Sequence, residues 1–197
     1  MWSSSKLKPN TRIKGLRESS LSDFWSWAYS DILTNTTRSV FVEFFVGNAL
    51  GLTDRPRIEW DAYDFDYRGS KIEVKSAAYL QSWQQKTLSR ITFEITKKKS
   101  WYAATNTSSV TLIRPADIYV FCLYSETDPV KCNVLDVNAW EFYIIPTNVI
   151  EKECGNQKCL GLKRLQKLAS PVKYLKINEK IDALRKEKKD KGGENAI

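Results

Sequence analysis

The chain has 197 residues, 42% hydrophobic and 27% charged, enough for one ordinary globular domain with a buried core and too short for two comfortable ones. It contains no histidine, which excludes Ser-His-Asp and Cys-His hydrolases, His-ligated metal sites and histidine general bases, and leaves catalysis to carboxylates, lysine, tyrosine, hydroxyls or a metal. The net charge of +8 favours a polyanionic partner, because clustered Lys and Arg gain affinity by releasing counterions from phosphates.

In chain order, residues 1–20 are polar and basic and read as a flexible arm. No apolar block follows a basic start there, so no signal peptide is expected and a cytoplasmic location is the default. Phe24, Trp25, Trp27, Ala28 and Ile32 have amphipathic helical spacing over residues 21–33, with Ser22 available as a cap. Asn35-Thr36-Thr37 offers caps for a second helix over residues 38–50, stopped by Gly51. Asp54-Arg55-Pro56 marks a loop. Residues 58–67 and 71–76 read as two strands around the turn Arg68-Gly69.

Residues 77–89 are polar, helical or loop. Over residues 90–96, Ile91, Phe93 and Ile95 alternate with Thr92 and Glu94, the pattern of a half-buried strand. Residues 117–124 are nearly all apolar, as in a central strand buried on both sides. They remain far below the ~20 apolar residues of a membrane-spanning helix, so no membrane partner is expected. Residues 140–145 form another strand, closed by Pro146, and residues 160–191 have a helical pattern ending in a charge run from Arg185. The order predicts one α/β domain over residues 21–180, with a mixed central sheet flanked by helices, and a charged tail over residues 181–197.

Of the four cysteines, Cys154 and Cys159 are close enough in sequence to bridge or share a metal, while free thiols are the plainer reading in a reducing compartment. Lys97-Lys98-Lys99 beside Trp101 and Tyr102 suits contact with a nucleic-acid backbone and stacking on bases, or a solvated turn beside core aromatics.

The hairpin carries the chemistry. A two-residue turn at Arg68-Gly69 sets Tyr67 opposite Ser70, Phe65 opposite Ile72, Asp64 opposite Glu73, Tyr63 opposite Val74 and Ala62 opposite Lys75. One face is then apolar and the other presents Asp64, Asp66, Glu73 and Lys75, because a slip of one residue would bury the charges. Opposed carboxylates repel by up to ~1 kcal/mol at an exposed site, so Lys75 or a divalent cation should offset them. Glu43 lies in the apolar helical run Val40-Phe41-Val42-Glu43-Phe44-Phe45-Val46, where a carboxylate is costly unless it meets a metal or an arginine such as Arg38 or Arg90.

A helix bearing Glu43, then a hairpin with an aspartate on its first strand and Glu73-Val74-Lys75 on its second, resembles the PD-(D/E)XK nuclease superfamily over residues 38–83. The resemblance implies a restriction-endonuclease-like core and hydrolysis of phosphodiester bonds with Mg²⁺, with Mn²⁺ as a substitute. By position Asp64 and Glu73 would hold the metal, Glu43 would support it, Lys75 would orient or activate the attacking water, and Gln81, on a Gln-containing helix start, would assist. The aspartate lacks the preceding proline of the family signature, and Asp61 competes with Asp64 for the metal. Strict alternation puts Asp61 on the opposite face unless a bulge intervenes.

The implied function is a DNA endonuclease in restriction, repair or defence, with RNA left open as a substrate and a homodimer suited to cutting both strands. The alternative is a non-catalytic nucleic-acid-binding module on the same fold. An unrelated α/β scaffold would instead aim Glu43 at an arginine away from the hairpin.

Overall fold

Capping sets where the first two helices begin. The computed structural model describes residues 5–193, and within it α1 (Leu21–Tyr29) starts where the Ser20 amide donates to the Asp23 carboxylate at 2.7 Å. The cap is thus Ser20, not Ser22, and the helix stops short of residue 33. Helix α2 (Asn35–Ala49) is capped by Thr34, whose hydroxyl accepts from the Thr37 amide at 3.2 Å, so it begins earlier than residue 38. It ends before Gly51, whose φ of +70° is open to glycine at little cost.

Strands β1 (Phe65–Tyr67) and β2 (Ser70–Ala78) pair antiparallel in the register that the face pattern demands, with Tyr67 facing Ser70 and Phe65 facing Ile72. Arg68 and Gly69 both have positive φ, +51° and +79°, as a two-residue hairpin turn of matching twist requires. Of the strand expected over residues 58–67, only the last three residues join the ladder. The Asp64 amide still reaches the Ile72 carbonyl at 3.0 Å, but its carboxylate accepts the Val74 amide at 2.7 Å. A side chain therefore takes a bond that the neighbouring backbone would have made, and the chain before it runs as a loop.

The remaining elements are β3 (Thr92–Glu94), β4 (Trp101–Tyr102), β5 (Thr107–Ser108), β6 (Ile118–Tyr124), β7 (Trp140–Pro146), α3 (Thr147–Cys154), β8 (Cys159–Gly161), α4 (Leu162–Leu168) and α5 (Ile177–Gly193). The main sheet has the order β1-β2-β6-β7, with β2 and β6 parallel and the outer pairs antiparallel. The fold is thus α/β with a mixed central sheet flanked by helices. Alternation splits the sheet cleanly. Ile72, Val74, Ile118, Val120, Phe142 and Ile144 pack in one cluster with Val42 and Val46 of α2 and Ile177 and Ile181 of α5. Tyr119, Phe121, Leu123, Tyr143 and Ile145 face the opposite cluster, with Phe93, Ile150, Leu160 and Leu165. Gly47 is where α2 meets β1: a Cβ there would lie 2.9 Å from the Phe65 ring.

Three expectations change in detail. Beyond Ala78, residues 79–89 form turns and loops rather than a helix, so Gln81 does not start one. The helical stretch expected over residues 160–191 is β8, α4 and α5, broken around Pro171, where Val172 bridges to Phe142. Strand β3 keeps its predicted alternation but pairs with β8 in a separate ribbon. Helix α5 runs on past residue 180, with Ile177 and Ile181 wholly buried. In the basic arm, residues 5–20 are mostly exposed, and Lys6 Nζ donates to the Thr53 carbonyl at 2.8 Å. All four cysteines are free thiols. Among the described residues no helix is long and apolar enough to cross a membrane.

Candidate active site

The outer edge of β2 is covered by β1 only as far as Ile72. At the opening, Asp64 holds the Val74 amide, and the flanking residues Glu73 and Lys75 point together to the other side, two positions apart on one strand. Glu73 is buried to 4% exposure, and its Oε1 accepts from the Lys75 ammonium. Lys98 reaches the same oxygen at 3.9 Å from the segment after β3.

Glu43 approaches from α2 at 8% exposure. Its partner is neither Arg38 nor Arg90 but Arg57, in the loop between α2 and β1. Arg57 Nη2 donates to Glu43 Oε1 at 2.9 Å, and Nε donates to Oε2. The Asp64 charge is felt at Arg57, so this arginine stands beside the hairpin rather than away from it.

The electrostatics follow from crowding of like charge. Burial, then the nearby Glu73 and Glu43 carboxylates, push the Asp64 carboxyl up to about 7, against the Val74 amide and Lys75, which favour its anion. Burial works to lower the Lys75 ammonium, but the Glu73 carboxylate outweighs it and holds Lys75 above its ordinary value. Lys75 is therefore a cation and a donor at neutral pH, not a base. Tyr119 is also raised, first by burial and then by Glu73, and stays a neutral phenol.

Other sequence-predicted residues lie elsewhere. The Asp61 carboxylate accepts the amides of Ala62 at 2.7 Å and Ala103 at 3.4 Å, tying its loop to the β4–β5 hairpin. Asp66 stays in the turn, accepting the Gly69 amide at 2.9 Å. Tyr63, expected on the face of Val74, packs into the opposite cluster because β1 has ended. Gln81 is held by Arg38 at 3.1 Å and donates to the Ala78 carbonyl at 2.8 Å, beyond the end of β2. Lys97 pairs with Glu151 at 2.7 Å, and Lys99 is exposed. Arg57 is not legible in the sequence as a site residue, since a loop arginine carries no period; its only signal is the need of a buried Glu43 for a cation.

Among the described residues no three His, Cys, Asp or Glu side chains are arranged to hold a metal between them. The donor set open to a cation is at most a carboxylate pair, and Asp64 and Glu73 are the pair whose mutual repulsion a cation would relieve. Hard oxygen donors in that number suit Mg²⁺, which keeps most of its waters and takes only one or two carboxylates. Asp64 and Glu73 are the residues that would hold such an ion, in exchange for the contacts that Glu73 now makes with Lys75 and Lys98.

The family model described as bacteriophage T4 endonuclease IV matches residues 5–161. No curated protein and no solved structure matches the chain.

Proposed function

The chain belongs to the bacteriophage T4 endonuclease IV family, and from that premise we propose that it is a metal-dependent DNA endonuclease whose reaction centre is Asp64, Glu73 and Lys75, backed by Glu43. On this reading the core is of the PD-(D/E)XK kind, the ion is Mg²⁺ with Mn²⁺ as substitute, and the role lies in restriction, repair or defence against foreign DNA. The observation that carries it is the end of the β1 ladder, where the Asp64 carboxylate takes the Val74 amide and lies within electrostatic reach of Glu73, Glu43 and Lys75.

Asp64 and Glu73 would hold the ion, and an ion so held supplies Lewis acidity and a water acidic enough to attack at neutral pH. The protein's own groups do the rest. Lys75, fixed as a cation by Glu73, donates to the attacking oxygen and to the charge growing on phosphorus. Lys98 stands where a phosphate at Glu73 would be met by a second positive charge. Glu43 adds negative potential from α2. No histidine is needed. One centre cuts one strand, so this chain cuts a duplex as a homodimer and nicks it as a monomer.

A second reading, a nucleic-acid-binding module without cleavage, is favoured by one observation: Glu43 and Glu73 are already paired with Arg57 and Lys75. Supercoiled plasmid and labelled oligonucleotides, incubated with Mg²⁺ or Mn²⁺, separate the two. Cleavage that EDTA stops, and that Lys75→Ala and Asp64→Ala each reduce by about 10²–10³-fold, the cost of one preorganised electrostatic group, supports the nuclease. Binding without cleavage, unaffected by either substitution, supports the module.

A further inference from the structure

Arg57 is held by the site on one side and open to solvent on the other. It lies in the loop of residues 51–64, its side chain is 36% exposed while its partner Glu43 is nearly buried, and it commits only Nε and Nη2 to that carboxylate. Among the described residues its remaining N–H donors have no protein acceptor. Glu43 is thus held within the fold, while about a third of the Arg57 side chain faces solvent. The same loop presents Arg55 and Trp60 to solvent, Trp60 at 76% exposure, which is the chemistry that meets a nucleic-acid backbone and its bases.

A divalent cation held by Asp64 and Glu73 would lie within electrostatic reach of Arg57, on which the Asp64 charge already acts, and the two repel. A DNA phosphate offers the guanidinium an equivalent two-oxygen partner, since the planar fork fits phosphate as well as carboxylate. We propose that Arg57 is an exchangeable counter-ion, holding Glu43 while the site lacks cation and DNA and passing to a DNA backbone phosphate when both bind. The inference rests on the nuclease reading and adds to it a coupling: through Arg57, DNA raises the affinity for the cation and the cation raises the affinity for DNA by the same factor.

Calorimetric titration with Ca²⁺ reads this without turnover, with and without a phosphorothioate oligonucleotide. The wild type should bind Ca²⁺ weakly alone and about tenfold more tightly with the oligonucleotide, an ordinary size for coupling between sites. Arg57→Gln should bind Ca²⁺ about tenfold more tightly than wild type without DNA, with the further gain from DNA largely lost. Arg57→Lys, a point charge without the fork, should keep part of the dependence and serves if the Gln variant does not fold.

Asp64→Asn must abolish the tight binding; if it does not, Ca²⁺ is bound elsewhere and the proposal fails. Equal Ca²⁺ affinity and equal gain from DNA in wild type and both Arg57 variants would make Arg57 a static partner of Glu43, overturning the exchange and leaving the nuclease reading intact. No Ca²⁺ binding by any form, with DNA or without, would overturn both.

Discussion

Strand β2 runs through two different environments. Toward β6 it is paired from Ile72 to Ala78, and the residues it shares with that strand sort into two apolar clusters by simple alternation. On its outer edge it is paired only from Ser70 to Ile72. Along the side paired to β6 the backbone satisfies itself, and the side chains that enter the clusters need only be apolar and of the right volume. Where β1 leaves, the Val74 amide requires another acceptor. Asp64 supplies it, and a buried carboxylate brings other charges with it: Glu73 and Lys75 on the strand, Glu43 and Arg57 from α2 and its loop. The side of the strand closed by β6 makes stability, and the edge that β1 leaves open concentrates charge at some cost to it.

That contrast can be broken or sharpened by substitution. The largest effect should come from the closed side: Phe142→Ala, at a wholly buried ring on β7, should cost about 3–5 kcal/mol, read as a fall in the denaturation midpoint. A small cost there would mean that the two clusters are not the main source of stability.

Gly47→Ala tests the join between the two regions. The added methyl meets the Phe65 ring at 2.9 Å and should cost about 1–3 kcal/mol by overpacking. Glu43 lies one turn away on α2, so nuclease activity should fall along with stability. Activity unchanged in a destabilised variant would mean that α2 does not set the position of the site.

The smallest effect carries an inverted sign. Asp64 is raised in the folded protein from 3.8 to about 7, so folding takes up a proton between those values. Stability on this account is lost as pH rises through that window and stays lower above it. Without divalent cations, Asp64→Asn should raise Tm by roughly 3 to 8 °C at pH 8 and by little at pH 4. A variant less stable than wild type at both pH values would show that the Val74 hydrogen bond outweighs the crowding of charge.

Much of the hairpin is legible in the sequence. The Arg68-Gly69 turn and the alternation of Ile72 and Val74 with Glu73 and Lys75 are local, and together they admit a single register. The wholly apolar run at β6 and the spacing of Ile91, Phe93 and Ile95 are likewise readable, because burial leaves a period in the chain. The same logic says that β3 buries one face but not that β8 pairs with it, since a pattern names a face and never a partner.

What only the tertiary structure decided are the bonds made outside any period. Arg57 reaching Glu43, Lys98 reaching Glu73, Asp61 turning to the Ala103 amide and Gln81 being held by Arg38 all join segments that meet because the sheet and α2 bring them together. The early end of β1 belongs with them. Its pattern permits a longer strand, and the Asp64 carboxylate stops it by competing for one amide, a contest settled by the distance between two atoms rather than by the kinds of residues in the chain.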